Sequence, residues 1–354
     1  KEIKMEAKIM NFISSLKFGG IKEFKNVTVI PIFKEISGGP EYISMQEAMS
    51  RNFLKIGEIG KGGSVQELVA ENIGVVSVLL LDGEELIGAK QNRVLNTTIL
   101  IDASSKVTIP VSCVEAHRWS SVSEHFSNSD SMLNYDIRKE KSFDVSNSLR
   151  FSGAYRSNQG KVWNQIDEMT SDLKVKSSTG AMKDVFNSVE EQLEEYIKNF
   201  NIVPEQKGLF VFIDGKIAGF DVLSLSSAYA KIHSKLIKSY SMDAIRSDSA
   251  RREMASPGKN KNADAERKGK KDKSQTPDIY NEQAKYFIEE IKDCNETKFK
   301  SAGLGYDYRY EGEFCVGSAL LVEGYAIHMA FFKNSKTDKI GNISSYRDRM
   351  RNKI

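Results

Sequence analysis

The chain is poor in the residues that announce a metal or redox site. It has only three cysteines, Cys113, Cys294 and Cys315, odd in number and far apart. None belongs to the close pair of a thiolate zinc site. This usage fits a reducing compartment, and the cytoplasm of a bacterium is the expected location. Its four histidines form no His-x-His or His-Glu-x-x-His spacing. No metal and no cofactor is expected. A long apolar run is also missing. The longest, near "GVVSVLLLDG", stops at Asp82-Gly83, too early to span a bilayer, so no membrane partner is expected. The N-terminus interleaves acids and bases without a small-residue cleavage site and does not read as a signal peptide. No glycine fingerprint lies between a strand and a helix, and "GKGG" at 60–63 lacks the lysine-hydroxyl ending of a phosphate loop. A nucleophile-elbow motif is absent as well.

What remains is an ordinary globular composition, 40% hydrophobic and 28% charged, over 354 residues. Such a chain can bury one large core or two smaller ones. The net charge of +3 misleads, because residues 257–275 carry seven Lys/Arg against three Asp/Glu, or +4, which leaves about −1 for the rest. This basic run reads first as a solvated, flexible insert. Nucleic acid would touch it only weakly and in a salt-dependent way.

Periodicity supplies the elements. Residues 20–36 read as a strand, and 45–54 have helical spacing. Strands are expected at 65–70, 73–81 and 84–102, with Asp82-Gly83 as a hairpin turn. Residues 120–160 are rich in Ser, Asn and Gly and read mostly as loop. Helices are expected at 161–173, at 182–200 and at 227–245, and again around Phe287, Ile288 and Ile291. Two strands joined at Glu323-Gly324 close the pattern. In "GLGYDYRYEGEF", strand alternation puts Tyr306, Tyr308 and Tyr310 on one face and the charges on the other, as on a half-exposed strand or a base-stacking platform. Hairpins dominate, so the expected class is α+β, with antiparallel, hairpin-rich sheets and packed helices. An echo links "VLLLDGEELIGAK" at 78–90 to "FVFIDGKIAGFD" at 210–221. Two related halves would explain it: a first α+β half over 15–150, a second over 160–335, and a charged insert over 247–279.

The densest polar constellation is Lys90, Gln91, Asn92, Arg93 and Asn96, then Glu115, His117 and Arg118. On a strand, Lys90 and Asn92 would share one face, and Gln91 and Arg93 the other. One pair would have to be buried, and an unpaired buried cation is costly. The strand is therefore expected to end or bulge here, its polar groups lining a cleft. Glu115 lies three residues before Arg118. It is placed to orient the guanidinium toward an anion, or simply to pair with it. Trp119 offers either a flat surface for a ring or a core side chain. His328, in "YAIHMAFF", points either into the sheet core or into a cleft.

Two of these stretches, "DGEELIGAKQNRVLNTTILI" and "IPVSCVEAHRW", resemble the signature of the ARG and Rhodanese-Phosphatase-superfamily-associated protein domain family. "FIDGKIAGFDVL", "LIKSYSMDA" and "GSALLVEGYAIHMAFF" resemble later blocks of the same family. The likeness runs over roughly residues 15 to 335. The family's name points to ADP-ribosylglycohydrolases as neighbours. The resemblance therefore implies binding of an ADP-ribose-like or NAD-derived nucleotide ligand, with its processing as the further expectation. Lys90, Arg93 and Arg118 would meet its phosphates, Gln91, Asn92 and Asn96 its hydroxyls, and Trp119 its base, with His328 a further contact. Glu115 and His117 would supply acid/base chemistry. The competing expectation is a non-enzymatic module that contacts a protein or nucleic-acid partner.

Overall fold

The computed structural model describes residues 5–36, 38–60, 62–255 and 277–334. The basic run at 257–275 lies outside them. The described chain opens with α1 (Ala7–Ser14), β1 (Lys17–Phe18), β2 (Lys22–Phe24), β3 (Val27–Phe33), β4 (Tyr42–Ser44), α2 (Met45–Ser50) and β5 (Leu54–Glu58). Then come β6 (Glu67–Asn72), β7 (Ser77–Leu80), β8 (Glu84–Gly88), β9 (Arg93–Leu95), β10 (Ile99–Ile101), β11 (Ser105–Cys113) and β12 (Phe126–Met132). Four helices follow: α3 (Tyr135–Ser152), α4 (Gln159–Asp172), α5 (Met182–Ser188) and α6 (Glu190–Asn199). The last part holds β13 (Gly208–Ile213), β14 (Lys216–Leu223), α7 (Ser226–Ala255), α8 (Pro277–Lys292), β15 (Asn295–Lys300), β16 (Tyr306–Glu311), β17 (Cys315–Val322) and β18 (Tyr325–Lys333). The class is α+β, as the hairpin signals indicate.

A nine-stranded sheet, β1-β3-β13-β14-β18-β17-β16-β15 with β2 beside β3, forms the largest layer. Its strands come from both ends of the chain. Alternation splits β13 between two cores: Phe210 and Phe212 face α1 and α8, while Leu209 and Val211 face the cluster built with α3–α7. Both faces are covered, which is why "GLFVFI" and "CVGSALLV" are almost continuously apolar. A six-stranded sheet, β12-β8-β9-β11-β6-β5, and a three-stranded one, β10-β7-β4, enclose a third core with α2. All strand pairs are antiparallel except β4 with β7.

Three expectations need correction. Asp82-Gly83 turns the chain but closes no hairpin. β7 pairs with β10 and β4, whereas β8 pairs with β9 and β12. The echoed Asp214-Gly215 does close one, between β13 and β14. Residues 120–160 are not mostly loop, for they hold β12 and the eighteen-residue helix α3. The inward side of α3 mixes Ile137, Val145 and Leu149 with buried Arg138, Lys141, Ser142 and Ser146, so no hydrophobic stripe marks it. On β16 the charges are not exposed. Tyr308 and Tyr310 are buried, and so are Asp307 and Arg309, which pair at 2.7 Å.

Cys294 and Cys315 lie next to each other at the open end of the β15–β16 hairpin. Cys113 is free and buried. Among the described residues, no helix is long and apolar enough to cross a membrane.

The three layers meet at a seam of buried charge. Arg138 of α3 grips Asp221 of β14 through two bonds, 2.5 and 3.1 Å long, and neither side chain has any exposure. Tyr240 Oη donates to the same carboxylate (2.8 Å). Lys141 bonds Asp82 and donates to the Leu95 carbonyl (2.9 Å). Arg309 and Thr97 both hold Asp307. Nearby, the buried Glu85 carboxyl of β8 accepts from Ser129 (2.7 Å) beside the irregular register of β12.

Replacing Arg138 by Met strands Asp221 in the core and should lower stability by about 3–5 kcal/mol, measured by urea unfolding. The double variant R138M/D221L should recover much of that loss; if it is no more stable than R138M, the pair is not what holds the seam. Glu85 gives a pH signature. Burial pushes its carboxyl up to about 7, so the folded chain keeps this proton after the unfolded chain has released it. Stability should therefore fall as pH rises from the ordinary carboxylate range to about 7, by roughly 1.4 kcal/mol per pH unit for this group. Glu85→Gln should flatten that limb, and an unchanged slope would refute the assignment.

Candidate functional site

Strand β8 stops at Gly88 because the backbone there enters a region L-residues avoid. Its φ is 125°, followed by 43° at Ala89. A Cβ on Gly88 would lie 2.5 Å from the Ser123 hydroxyl and 3.1 Å from the His125 carbonyl, so only glycine fits. The chain turns through 89–92 and re-enters the sheet at Arg93. Cys113 pairs with Arg93 across β11 and β9, so the loop leaving β11 crosses the turn. That crossing sets "EAHRW" against "AKQNR".

Glu115 joins the two segments. Its Oε2 accepts the Asn92 backbone N–H (3.1 Å) and Arg118 Nη2 (2.6 Å), and its carbonyl accepts Gln91 Nε2 (2.7 Å). Arg118 Nη2 also reaches Asn92 Oδ1 (3.1 Å), while Nη1 donates to the carbonyls of Ala89 (2.8 Å) and Ser120 (3.1 Å). Both terminal nitrogens of Arg118 thus serve protein acceptors. Burial works to raise the Glu115 carboxyl, but bonds from Arg118, Asn92 and Thr179 hold it below the ordinary carboxylate range. It is a fixed anion, poorly matched to giving up a proton near neutrality.

Arg93 is fully buried. Its Nη1 donates to Gln91 Oε1 (2.9 Å), but Nε and Nη2 have no hydrogen-bond partner among the described residues. Burial holds this guanidinium below its ordinary value, with Cys113 and Glu58 opposing. Lys90 donates its backbone N–H to Glu58 Oε1 (3.3 Å) and its ammonium to the Gly62 carbonyl. The Trp119 ring is 49% exposed. Lys90 Nζ lies 5.3 Å from its centre and the Arg93 guanidinium 5.5 Å, both within cation–π reach.

The structure thus gathers Lys90, Gln91, Asn92, Arg93, Glu115, Arg118 and Trp119. Gln91 and Asn92 are buried in the scaffold of the turn, although sequence reasoning gave them to a ligand. His117 is exposed, held by its backbone N–H to the Thr179 carbonyl (2.9 Å); among the described residues no hydrogen bond joins its ring to Glu115. Asn96 is buried elsewhere, between Tyr155 and Ser112. Sequence reasoning missed Glu58 and Thr179, which arrive from distant segments and carry no local signal.

His328 belongs to the seam. Its Nδ1 lies 2.8 Å from Thr98 Oγ1, and its Nε2 lies 3.2 Å from Asp221 Oδ1. Asp221 Oδ1 can only accept, so Nε2–H faces Asp221, and Thr98 Oγ1, which also accepts the Asp82 N–H (3.1 Å), bonds Nδ1. The order hydroxyl, imidazole, carboxylate is that of a nucleophilic triad. All three groups are nevertheless sealed, with 5% exposure at Thr98 and 1% at His328. Asp221 is already neutralised by Arg138, so the relay is a packing device.

Among the described residues, no cluster of three or more His, Cys, Asp or Glu side chains could hold a metal ion. A separate open cavity of about 900 Å³ lies beside α3 and α7, lined by Tyr135, Asp136, Asp243 and Arg246 among others. Arg246 is paired there with Asp172 (2.7 Å), and none of the sequence-predicted site residues reaches it.

A family model described as the ARG and Rhodanese-Phosphatase-superfamily-associated Protein domain covers residues 15–332. No curated protein and no solved structure matches.

Because its folded pKa is depressed, Glu115 contributes stability that is present above its unfolded pKa and lost as pH falls through the folded one. Glu115→Gln should cost on the order of 2 kcal/mol at pH 7. The gap from the parent, followed by urea unfolding, should shrink in acid. A gap that stays constant with pH would mean the carboxylate's charge is not what ties loop to turn.

Proposed function

The chain belongs to the ARG and Rhodanese-Phosphatase-superfamily-associated Protein domain family, and from that premise we propose that it binds an ADP-ribose-like or NAD-derived nucleotide where the 89–93 turn meets the 115–119 loop. One observation carries the reading. Beneath the exposed Trp119 ring, the buried Arg93 guanidinium keeps Nε and Nη2 without an acceptor. A buried donor without a partner is costly, and an anionic oxygen is the acceptor that best suits a guanidinium. The ring above it suits a base. Together they match a ligand with a phosphate at one end and a flat heterocycle at the other.

The remaining groups have supporting parts. Glu115 and Arg118 position the loop and do not themselves grip the ligand, since each is already bonded to the protein. Catalysis by Glu115 is disfavoured by its fixed charge, which leaves the exposed His117 as the candidate proton carrier at the rim. Val122, 66% exposed close to Trp119 in the chain, favours the second reading, in which this face docks a protein.

Thermal-shift and calorimetric titrations with ADP-ribose and NAD, at about millimolar ligand, test the proposal. Stabilisation is expected, because a ligand that binds only the folded chain shifts its unfolding upward. Trp119→Ala should fold normally and weaken binding about tenfold or more, base stacking contributing roughly 1–3 kcal/mol. If neither nucleotide shifts the melting temperature, the nucleotide reading is wrong. A protein partner lost on Trp119→Ala would then support docking.

A further inference from the structure

Glu58 faces Arg93 without bonding to it. Its Oε1 lies 3.9 Å from Arg93 Nη2, beyond hydrogen-bond reach. Glu58 Oε2, Arg93 Nε and Arg93 Nη2 are buried, and none has a hydrogen-bond partner among the described residues. Two opposite charges that share a pocket and fail to close are an unfavourable arrangement. Each keeps its desolvation cost, and neither gains a full bond.

The two partners are not equally free to move. Arg93 sits in β9 between β8 and β11. Its Nη1 is tied to Gln91, which is itself anchored on the Glu115 carbonyl. Glu58 is the last residue of β5, an edge strand. Among the described residues its carboxylate takes one long hydrogen bond, 3.3 Å, from the Lys90 backbone. Nε and Nη2 also form one edge of the guanidinium, the edge that takes two oxygens of a single anion side by side.

Building on the nucleotide reading, we infer that Glu58 is an internal competitor, its carboxylate standing where a phosphate of the ligand binds Arg93. The ligand's phosphate displaces it, and Glu58 swings out toward solvent from the end of its edge strand. The exchange makes the site selective. A neutral nucleoside stacks on Trp119 but cannot displace the carboxylate. A phosphate-bearing ligand can, because it offers Arg93 the closed, two-oxygen contact that Glu58 does not make.

Glu58→Gln in the full chain tests this by calorimetry with ADP-ribose and with adenosine. The amide keeps the shape and removes the competing charge. ADP-ribose should bind about tenfold tighter, near 1.4 kcal/mol, adenosine should be unchanged, and the melting temperature should stay within about 2 °C of the parent. A loss of many degrees would show that Glu58 is the structural partner of Arg93, and the exchange would be wrong. Parent binding of ADP-ribose with no gain in Glu58→Gln would remove the exchange and leave the nucleotide reading standing. If neither protein binds ADP-ribose, both ideas fall.

Discussion

The Arg138 guanidinium and the Asp221 carboxylate meet with no exposure on either side, and much of the molecule is arranged so that they can. A buried charge without its counter-charge costs more than most single interactions contribute. Around this pair the chain places Tyr240 from α7, His328 from β18 and, through Thr98, the strand that leaves the polar turn. Five distant segments are thereby fixed in one register. An apolar core would tolerate small slips among them, whereas a network of directed bonds does not. The same stretch, 93–98, carries Arg93 at the candidate site and Thr97 and Thr98 at the seam. The floor of the site is therefore anchored in the least adjustable part of the protein.

The candidate site divides its polar residues between support and contact. Gln91, Asn92, Glu115 and Arg118 bond mainly to each other and to backbone. They hold a sharp turn that Gly88 alone makes sterically possible. Trp119, Lys90 and Arg93 form the face that this framework presents. A stretch so rich in cations and amides thus mostly builds the wall, and only a few of its atoms are left to meet a ligand.

Much of this was legible in the sequence. The strands of β13, β14, β17 and β18 announced themselves through apolar runs and Asp-Gly or Glu-Gly turns, because sheets buried on both faces leave that mark. The break after Gly88 was expected from the cost of burying a cation inside a strand, and Lys90 does fall in the turn, but Arg93 opens β9 fully buried. The pairing of Glu115 with Arg118 followed from their spacing. Helix α3 was not legible, since Arg138, Lys141, Ser142 and Ser146 occupy positions where a hydrophobic stripe would be expected. Nor was the role of Asp82-Gly83, because the residues that recruit it, Lys141 and Thr98, are known only once the fold has brought them there. Glu58 was invisible for the same reason: its meaning depends entirely on what stands opposite.

The half-exposed ring of Trp119 has one more consequence. The chain contains only two tryptophans, and the other, Trp163, lies on α4. Indole emission depends on nearby charge and on contact with water, and Trp119 has a lysine and an arginine within 5.5 Å of its ring centre. One of the molecule's two tryptophan reporters therefore sits at the candidate site. The protein carries a built-in optical gauge of what happens there, with no label to attach.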